Sequence, residues 1–318
     1  MLRSPPRYTD PSLPPLDEAD RKIVSLLMQD GRASGRDLAQ HTGISEANVS
    51  RRLARLIDER TIRILGYVPP EYLGMHVQAA TALRIKGDVD KVANELLRHE
   101  EFCTVASTFG TWDLITYTVA RNSSELLTLL DRTVLSHPAV AAAETRTVLE
   151  FIDPRQRAVE TVTQPPPRPI DRTDRMIIRE VQGDGRMSFT DIAQRTGVSA
   201  SSAADRFRRL VTDRIVRIVA APDPSRIGLH LSGYLALSLE RPAREVVKEL
   251  SSMTELGVFA VMSGPHPIGC EFAVRDGIHF DQLRSRVLGV AGVRGIEVSI
   301  IRKYYRSSMV WGEPEGAA

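Results

Sequence analysis

Lysine is scarce in this chain of 318 residues: of 42 basic residues, only Lys22, Lys86, Lys91, Lys248 and Lys303 are lysines. The rest are arginines, and acids number 40, so the formal net charge is only +2. A polycationic coat for nucleic acid or membrane is thereby excluded, and any anion-binding surface has to be local. Cysteine is limited to Cys103 and Cys270. Neither stands in a metal-ligand spacing, and both read as small core or surface residues. No apolar run approaches the roughly 18 residues that span a membrane. The first residues, MLRSPPRYTDPSLPP, hold no apolar core of the kind a secretory signal needs, which points to the cytoplasm. Also missing are a phosphate-cradling glycine loop, a metal-ligand cluster and a nucleophile–base set with meaningful spacing, so no catalytic residue and no cofactor is indicated. What remains is the composition of an ordinary soluble protein, 42% hydrophobic and 26% charged, long enough for two to four domains.

What is present is a repeat. Residues 17–64, DEADRKIVSLLMQDGRASGRDLAQHTGISEANVSRRLARLIDERTIRI, recur in altered form and without a gap 154 residues later, from Asp171. The stretch predicts three short helices and a strand. Asp17, Ser34 and Ser45 are the expected N-caps, and Gly31 and Gly43 the expected breaks. A short helix, a turn containing Gly43 and a second helix form the helix-turn-helix pattern. On the third helix, Val49, Leu53, Leu56 and Ile57 share the core face at helical spacing. Opposite lie Ala47, Asn48, Arg51 and Arg55. A small residue, an amide and two guanidiniums suit a helix entering a major groove, where Asn pairs with adenine and Arg with guanine or phosphate. Arg52 falls on the core flank and suits an ion pair or a phosphate contact better than base reading. In the second copy Ser199 caps, Ala203, Phe207, Leu210 and Val211 face inward, and Ser201, Ser202, Asp205 and Arg209 face outward, with Arg208 beside them.

Each helix trio is followed by the same pattern. Strands are predicted over 77–86, 102–109, 114–120 and 143–152, with helices over 88–99 and 123–136. The second set covers 231–239, 244–253, 256–263, 268–275, 278–288 and 295–305. The order β-α-β-β-α-β is the ferredoxin-like plan, an antiparallel sheet with both helices on one face and the other face open to a partner.

The element running from Asp17 through Asp30-Gly31-Arg32, Gly43-Ile44-Ser45 and Arg52-Leu53-Ala54-Arg55-Leu56, followed by a ferredoxin-like unit with Gly-x-Trp-Asp after its second strand, resembles the Lrp/AsnC family of transcription regulators. The resemblance implies an α+β chain of two winged-helix-like helix-turn-helix domains, 16–68 and 170–222, alternating with two ferredoxin-like ligand-sensing (RAM) domains, 75–153 and 229–306. A loose N-terminus (1–15), a stiff Pro-rich linker (154–169) and a loose tail (307–318) complete it. It implies an intramolecular pseudo-dimer, sheet to sheet, with both reading heads on one side. DNA contacts carry over to Ser45, Ala47, Asn48, Arg51, Arg52 and Arg55, and to Ser199, Ser201, Ser202, Arg206 and Arg209. Asp205 replaces Arg51, so the second head is expected to prefer another half-site or bind more weakly. Effector binding, commonly of amino acids between dimers, carries over to Gly110, Thr111, Trp112 and Asp113. The plain alternative is a hairpin turn with a capping Asp. In the second copy Pro267 replaces that Asp, which leaves effector binding there in doubt. The partners implied are double-stranded DNA, a small effector and further copies of the chain, as a dimer or tetramer. Sirohaem decarboxylases resemble the same family, but the His- and Arg-bearing motif near their turn is reduced here to His266.

Overall fold

Local capping sets where the helices of each head begin. In the computed structural model, which describes residues 13–152 and 168–307, Asp17, Ser34 and Ser45 each accept the backbone N–H three residues on. They open α1 (Glu18–Gln29), α2 (Gly35–Thr42) and α3 (Glu46–Asp58). Gly43 ends α2 in the left-handed region at φ 75°, which costs little without a Cβ. The strand β1 (Ile62–Tyr67) follows. The first sheet unit comprises β2 (Val77–Ile85), α4 (Val89–Leu96), β3 (Phe102–Gly110), β4 (Leu114–Ala120), α5 (Ser123–Leu130) and β5 (Val140–Ile152). The helix predicted over 123–136 loses its α-geometry at Asp131–Leu135, where it widens to one π turn. The second copy supplies α6 (Arg172–Gly183), α7 (Phe189–Thr196), α8 (Ala200–Thr212), β6 (Arg217–Pro222), β7 (Leu231–Leu239), α9 (Ala243–Leu250), β8 (Leu256–Met262), β9 (Ile268–Val274), α10 (Gly277–Leu288) and β10 (Val293–Ser307). The expected loose ends and the linker fall largely outside the described residues.

Both sheets have the ferredoxin order, β3-β4-β2-β5 and β8-β9-β7-β10. They do more than face each other. β5 pairs antiparallel with β8, and β10 with β3, so the two sheets join at both edges into one closed eight-stranded barrel. The expectation of two sheets stacked on open faces is corrected in this respect. Closure leaves no unpaired edge among these strands. β5 and β10 reach across because they run to 13 and 15 residues, longer than the other strands.

The heads are crossed as well. β1 and β6 pair antiparallel, from Ile62 opposite Pro222 to Tyr67 opposite Arg217. The first head's core, built on Ile23, Leu27, Leu38, Val49 and Leu56, packs against Ile218, Ala220 and Ile227 of the second copy. The second head's core, built on Ile177, Ile192, Phe207 and Leu210, includes Val68, Leu73, Met75 and Cys103 of the first. Each head thus buries apolar surface against the other copy's chain.

Candidate functional site

The outward face of α3 is built by what α3 buries. Val49, Leu53 and Leu56 are buried, so the 3.6-residue period turns Ala47, Asn48 and Arg51 out to solvent. Ser45 is exposed at the cap. Arg51 Nη2 donates to Asn48 Oδ1 at 2.6 Å, so the two groups expected to read bases are held side by side. Ile57 is exposed and does not belong to the core face, and Val211, its counterpart, is exposed too. Both stand next to last in their helices.

Two of the expected groove arginines serve otherwise. Asp20, on α1, is buried at 1% exposure and would be a costly isolated charge. Arg52 Nη1 lies 2.8 Å from its Oδ1 and 2.6 Å from Asp17 Oδ2. Arg55 Nη2 lies 2.5 Å from Asp20 Oδ2. Arg55 is thereby removed from the free outer stripe, while Arg52 takes the ion-pair role its flank position favoured. In the second head, Arg206 repeats the Arg52 bridge to Asp171 and Asp174. Arg209 does not repeat the role of Arg55, because Arg168 takes the second oxygen of Asp174 at 2.6 Å. Arg209 is exposed and has no ion pair among the described residues. Asp205 is paired with Arg208 at 2.6 Å on the surface, between exposed Ser201 and the half-buried Ser202. Among the described residues, α3 and α8 therefore each offer one guanidinium clear of carboxylates, Arg51 and Arg209, in different places on the helix.

The heads are clamped to each other by a pair of residues the sequence reading passed over. Arg32 Nε and Nη2 donate to the carbonyls of Gly185 and Met187 at 2.6 and 2.9 Å, and its guanidinium lies over Phe189 and Phe207. Arg186 Nη1 donates back to the carbonyls of Gly31 and Ala33, both at 3.0 Å. Burial weakens both cations, pulling them below the usual guanidinium range. A Cβ on Gly31 would lie 2.8 Å from Ile218 Cγ2, so the close approach needs glycine there. The repetition of Asp-Gly-Arg at 30–32 and 184–186 was the available signal.

The turn Gly110-Thr111-Trp112-Asp113 sits on the other copy. Gly110 has φ 141°, and a Cβ there would meet the Val298 carbonyl oxygen at 2.6 Å. Trp112 Nε1 donates to Glu297 Oε1 at 2.9 Å, and Arg84 Nη2 reaches the Thr111 carbonyl at 3.0 Å. Asp113 Oδ2 accepts the Ile85 N–H at 2.7 Å, so the capping-Asp reading describes that oxygen. The second turn, Gly264-Pro265-His266-Pro267, is seated in the reciprocal place. There Arg146, bonded to Glu144 at 2.7 Å, donates through Nη2 to His266 Nδ1 at 3.0 Å. Arg146 comes from β5 of the first copy, which is why no reading of the turn alone could find the pair. Cys103 and Cys270 are buried, and burial pushes both thiols far up, out of the nucleophilic range.

Comparison with known proteins follows this two-unit plan. A winged helix-turn-helix DNA-binding model matches residues 16–63, an AsnC-type helix-turn-helix domain matches 170–211, and an Lrp/AsnC ligand binding domain matches 77–158. The HTH-type transcriptional regulator FL11 of Pyrococcus abyssi is 34% identical over 137 residues, which span 42% of this chain and 90% of the relative. The HTH-type transcriptional regulator LrpA of Mycobacterium tuberculosis is 26% identical, over 43% of this chain and 93% of its own. The crystal structure of the siroheme decarboxylase NirDL aligns over 92% of this chain and 93% of its own with a TM-score of 0.63 at 14% identity, a likeness of fold. No helix among the described residues is long and apolar enough to cross a membrane. With full-length regulators matched by less than half of it, and head and ligand-binding models matched in turn, the chain belongs to the Lrp/AsnC family of transcriptional regulators and carries two of the family's units in one polypeptide.

Proposed function

We propose that the chain reads double-stranded DNA with α3 and α8 together and adjusts that binding to a small effector, of the amino-acid class, in the cytoplasm and without catalysing a reaction. The observation that carries the reading is the reciprocal clamp of Arg32 and Arg186, which fixes two exposed recognition-helix faces in one rigid pair. A two-fold reader of this kind expects half-sites about one helical turn, or a multiple of it, apart on B-DNA. Base contacts fall to Asn48 and Arg51 in the first head and to Ser201, Ser202 and Arg209 in the second. Ala47 leaves room for the approach, and Ser45 and Ser199 cap the helices beside the phosphates. The effector is assigned to the turn Gly110–Asp113, within the span matched by the ligand-binding model. There the second oxygen of Asp113 can receive an ammonium group beside Trp112. Chains assemble further as a dimer or tetramer. A gel shift on the DNA upstream of the protein's own gene, repeated with each amino acid, tests both parts. Binding that ignores salt, or that survives Arg51→Ala unchanged, would remove the regulator reading.

A second reading is favoured by one contact. Arg146 and His266 bring together, at the second turn, the residue types that mark the sirohaem decarboxylases. If the chain holds a tetrapyrrole there, incubation with haem or sirohaem gives a Soret band that His266→Ala abolishes. Without the band the enzymatic reading fails.

A further inference from the structure

The closed barrel is hollow. Positions that face its lumen from several strands are small, among them Ala80, Ala82, Ala236, Ala260 and Gly269, and they border a cavity of about 700 Å³. Eight strands enclose an interior just wide enough either to be filled by side chains or to hold one small ligand. Here the small residues leave it unfilled. The cavity runs from the lumen to the underside of β1 and β6, the strands that descend from the two heads. Its walls are aromatic: Tyr67, Tyr117, Phe151, Tyr234 and Tyr304 line it, with Tyr117 edge-on to Phe151 at 5.3 Å.

Two arginines of the wing strands, Arg63 and Arg217, occupy equivalent positions of the repeat and both line this cavity. Burial pulls the Arg63 guanidinium below its ordinary range; the charge of Asp223, beyond ion-pair distance, opposes that shift in part, and Arg63 donates one hydrogen bond, to the Ser307 carbonyl at 3.2 Å. Arg217 lies over the ring of Tyr67 at 4.8 Å. Among the described residues neither has a carboxylate within ion-pair distance. Of the acids that share the lining, Glu144 is engaged by Arg146, Glu297 by Trp112, Glu150 by Arg244 and Glu255 by His279 and Arg286, while Asp223 and Glu271 also border the cavity. Glu71 is hydrogen-bonded to Gln78, and its burial favours the neutral form. Guanidiniums with no carboxylate in ion-pair contact, beside aromatic walls and empty space, match an anionic group carried on an apolar body.

We propose that this cavity is a binding site for a small aromatic carboxylate, its anion on Arg63 and Arg217 and its ring among the tyrosines. The site lies inside one chain and is built by both copies; of the turn at Gly110–Asp113 it shares Trp112, while Asp113 lies outside its lining. It goes beyond the DNA-reading assignment and does not depend on it. An occupant held by both wings bears on the strands that set the spacing of the heads.

Isothermal titration of the full chain with phenylacetate, and with its neutral isostere phenylacetamide, tests the site. The expected result is one phenylacetate per chain, with the amide weaker by roughly tenfold or more, as loss of a charge-assisted pair implies. Arg63→Gln with Arg217→Gln should bring phenylacetate down to the level of the amide. Ala236→Leu, which fills the lumen and keeps both arginines, should also block it. Asp113→Ala should leave it unchanged. Circular dichroism of each variant establishes that the fold is retained. No phenylacetate binding in the millimolar range overturns the proposal, as does equal binding of acid and amide, or binding that survives the double arginine change in a folded variant. A gel shift on the same preparations reports the DNA-reading role separately, so either assignment can fail alone.

Discussion

At the scale of single residues, Asp20 decides what the arginines of the first head can do. Its carboxylate is buried and is held by Arg52 and Arg55 from α3. Removing one partner of such a pair leaves buried charge uncompensated, at a cost of about 3–5 kcal/mol for fully buried pairs. Arg52 and Arg55 keep 26% and 38% of their side-chain exposure, so water offsets part of that cost. Asp20→Ala should therefore destabilise the first head by about 2–3 kcal/mol, read as a lower urea midpoint. Arg51→Ala should leave the midpoint unchanged and weaken DNA binding. A loss of stability in Arg51→Ala, or none in Asp20→Ala, would reverse these assignments. The sequence carried a hint of this, since acids recur at Asp17 and Asp20 and again at Asp171 and Asp174. What it could not convey is that Arg168, from the end of the linker, displaces the Arg55 counterpart in the second head. That exchange depends on a contact made in space and leaves no periodicity.

At the scale of elements, the two copies are joined by reciprocal contacts, and these were least legible in the sequence. Helix starts, most strand spans and the ferredoxin order followed from caps and alternation, which are local. Barrel closure and the crossed packing of the heads are not local, and the residues that make them look like ordinary surface arginines until the partner strand is in place. Arg32 is the sharpest case. Arg32→Ala removes bonds to two carbonyls and the contact with two phenylalanine rings, and should cost about 2–4 kcal/mol. It should also uncouple the heads, so that a two-half-site DNA is bound little better than one half-site. Retained cooperativity between half-sites would show that β1 and β6 alone hold the heads. A second staple joins α4 to β10. Asp90 accepts from Tyr305, Lys303 and Arg302, and these hold its carboxyl at about 2, well below the usual carboxylate range. A depressed carboxyl contributes stability that is present above about pH 4 and lost as pH falls toward 2. Asp90→Asn should flatten the acid limb of the stability profile between those values and leave the slope above about pH 5 unchanged. An unaltered acid limb would show that the solvent-exposed side of the pair screens it away.

At the scale of the whole molecule, covalent fusion allows what a symmetric pair of identical chains cannot: two heads that differ. The sequence located that difference at Asp205 in the place of Arg51, with the second head expected either to prefer another half-site or to bind more weakly, and the partners of these side chains favour the first. Arg55 is engaged by Asp20 while Arg209 is exposed, and Asp205 is neutralised by Arg208. The AsnC-type head model matches the second copy, so that copy keeps the family pattern despite the substitution. The two heads are therefore better described as different readers than as a strong and a weak one. The expected operator has unlike half-sites in fixed order, and the protein binds it in one orientation. DNase footprinting should show two protected blocks of different sequence, and inverting one block should cost affinity even though both remain present. Asp205→Ala frees Arg208 for phosphate, so it should strengthen binding generally and steepen the salt dependence by about one phosphate contact. It should do so without changing the base preference of the first block. Two identical half-sites in a perfect palindrome, bound equally in either orientation, would mean that the fused copies still read as a symmetric dimer and that the difference at Asp205 has no consequence for recognition.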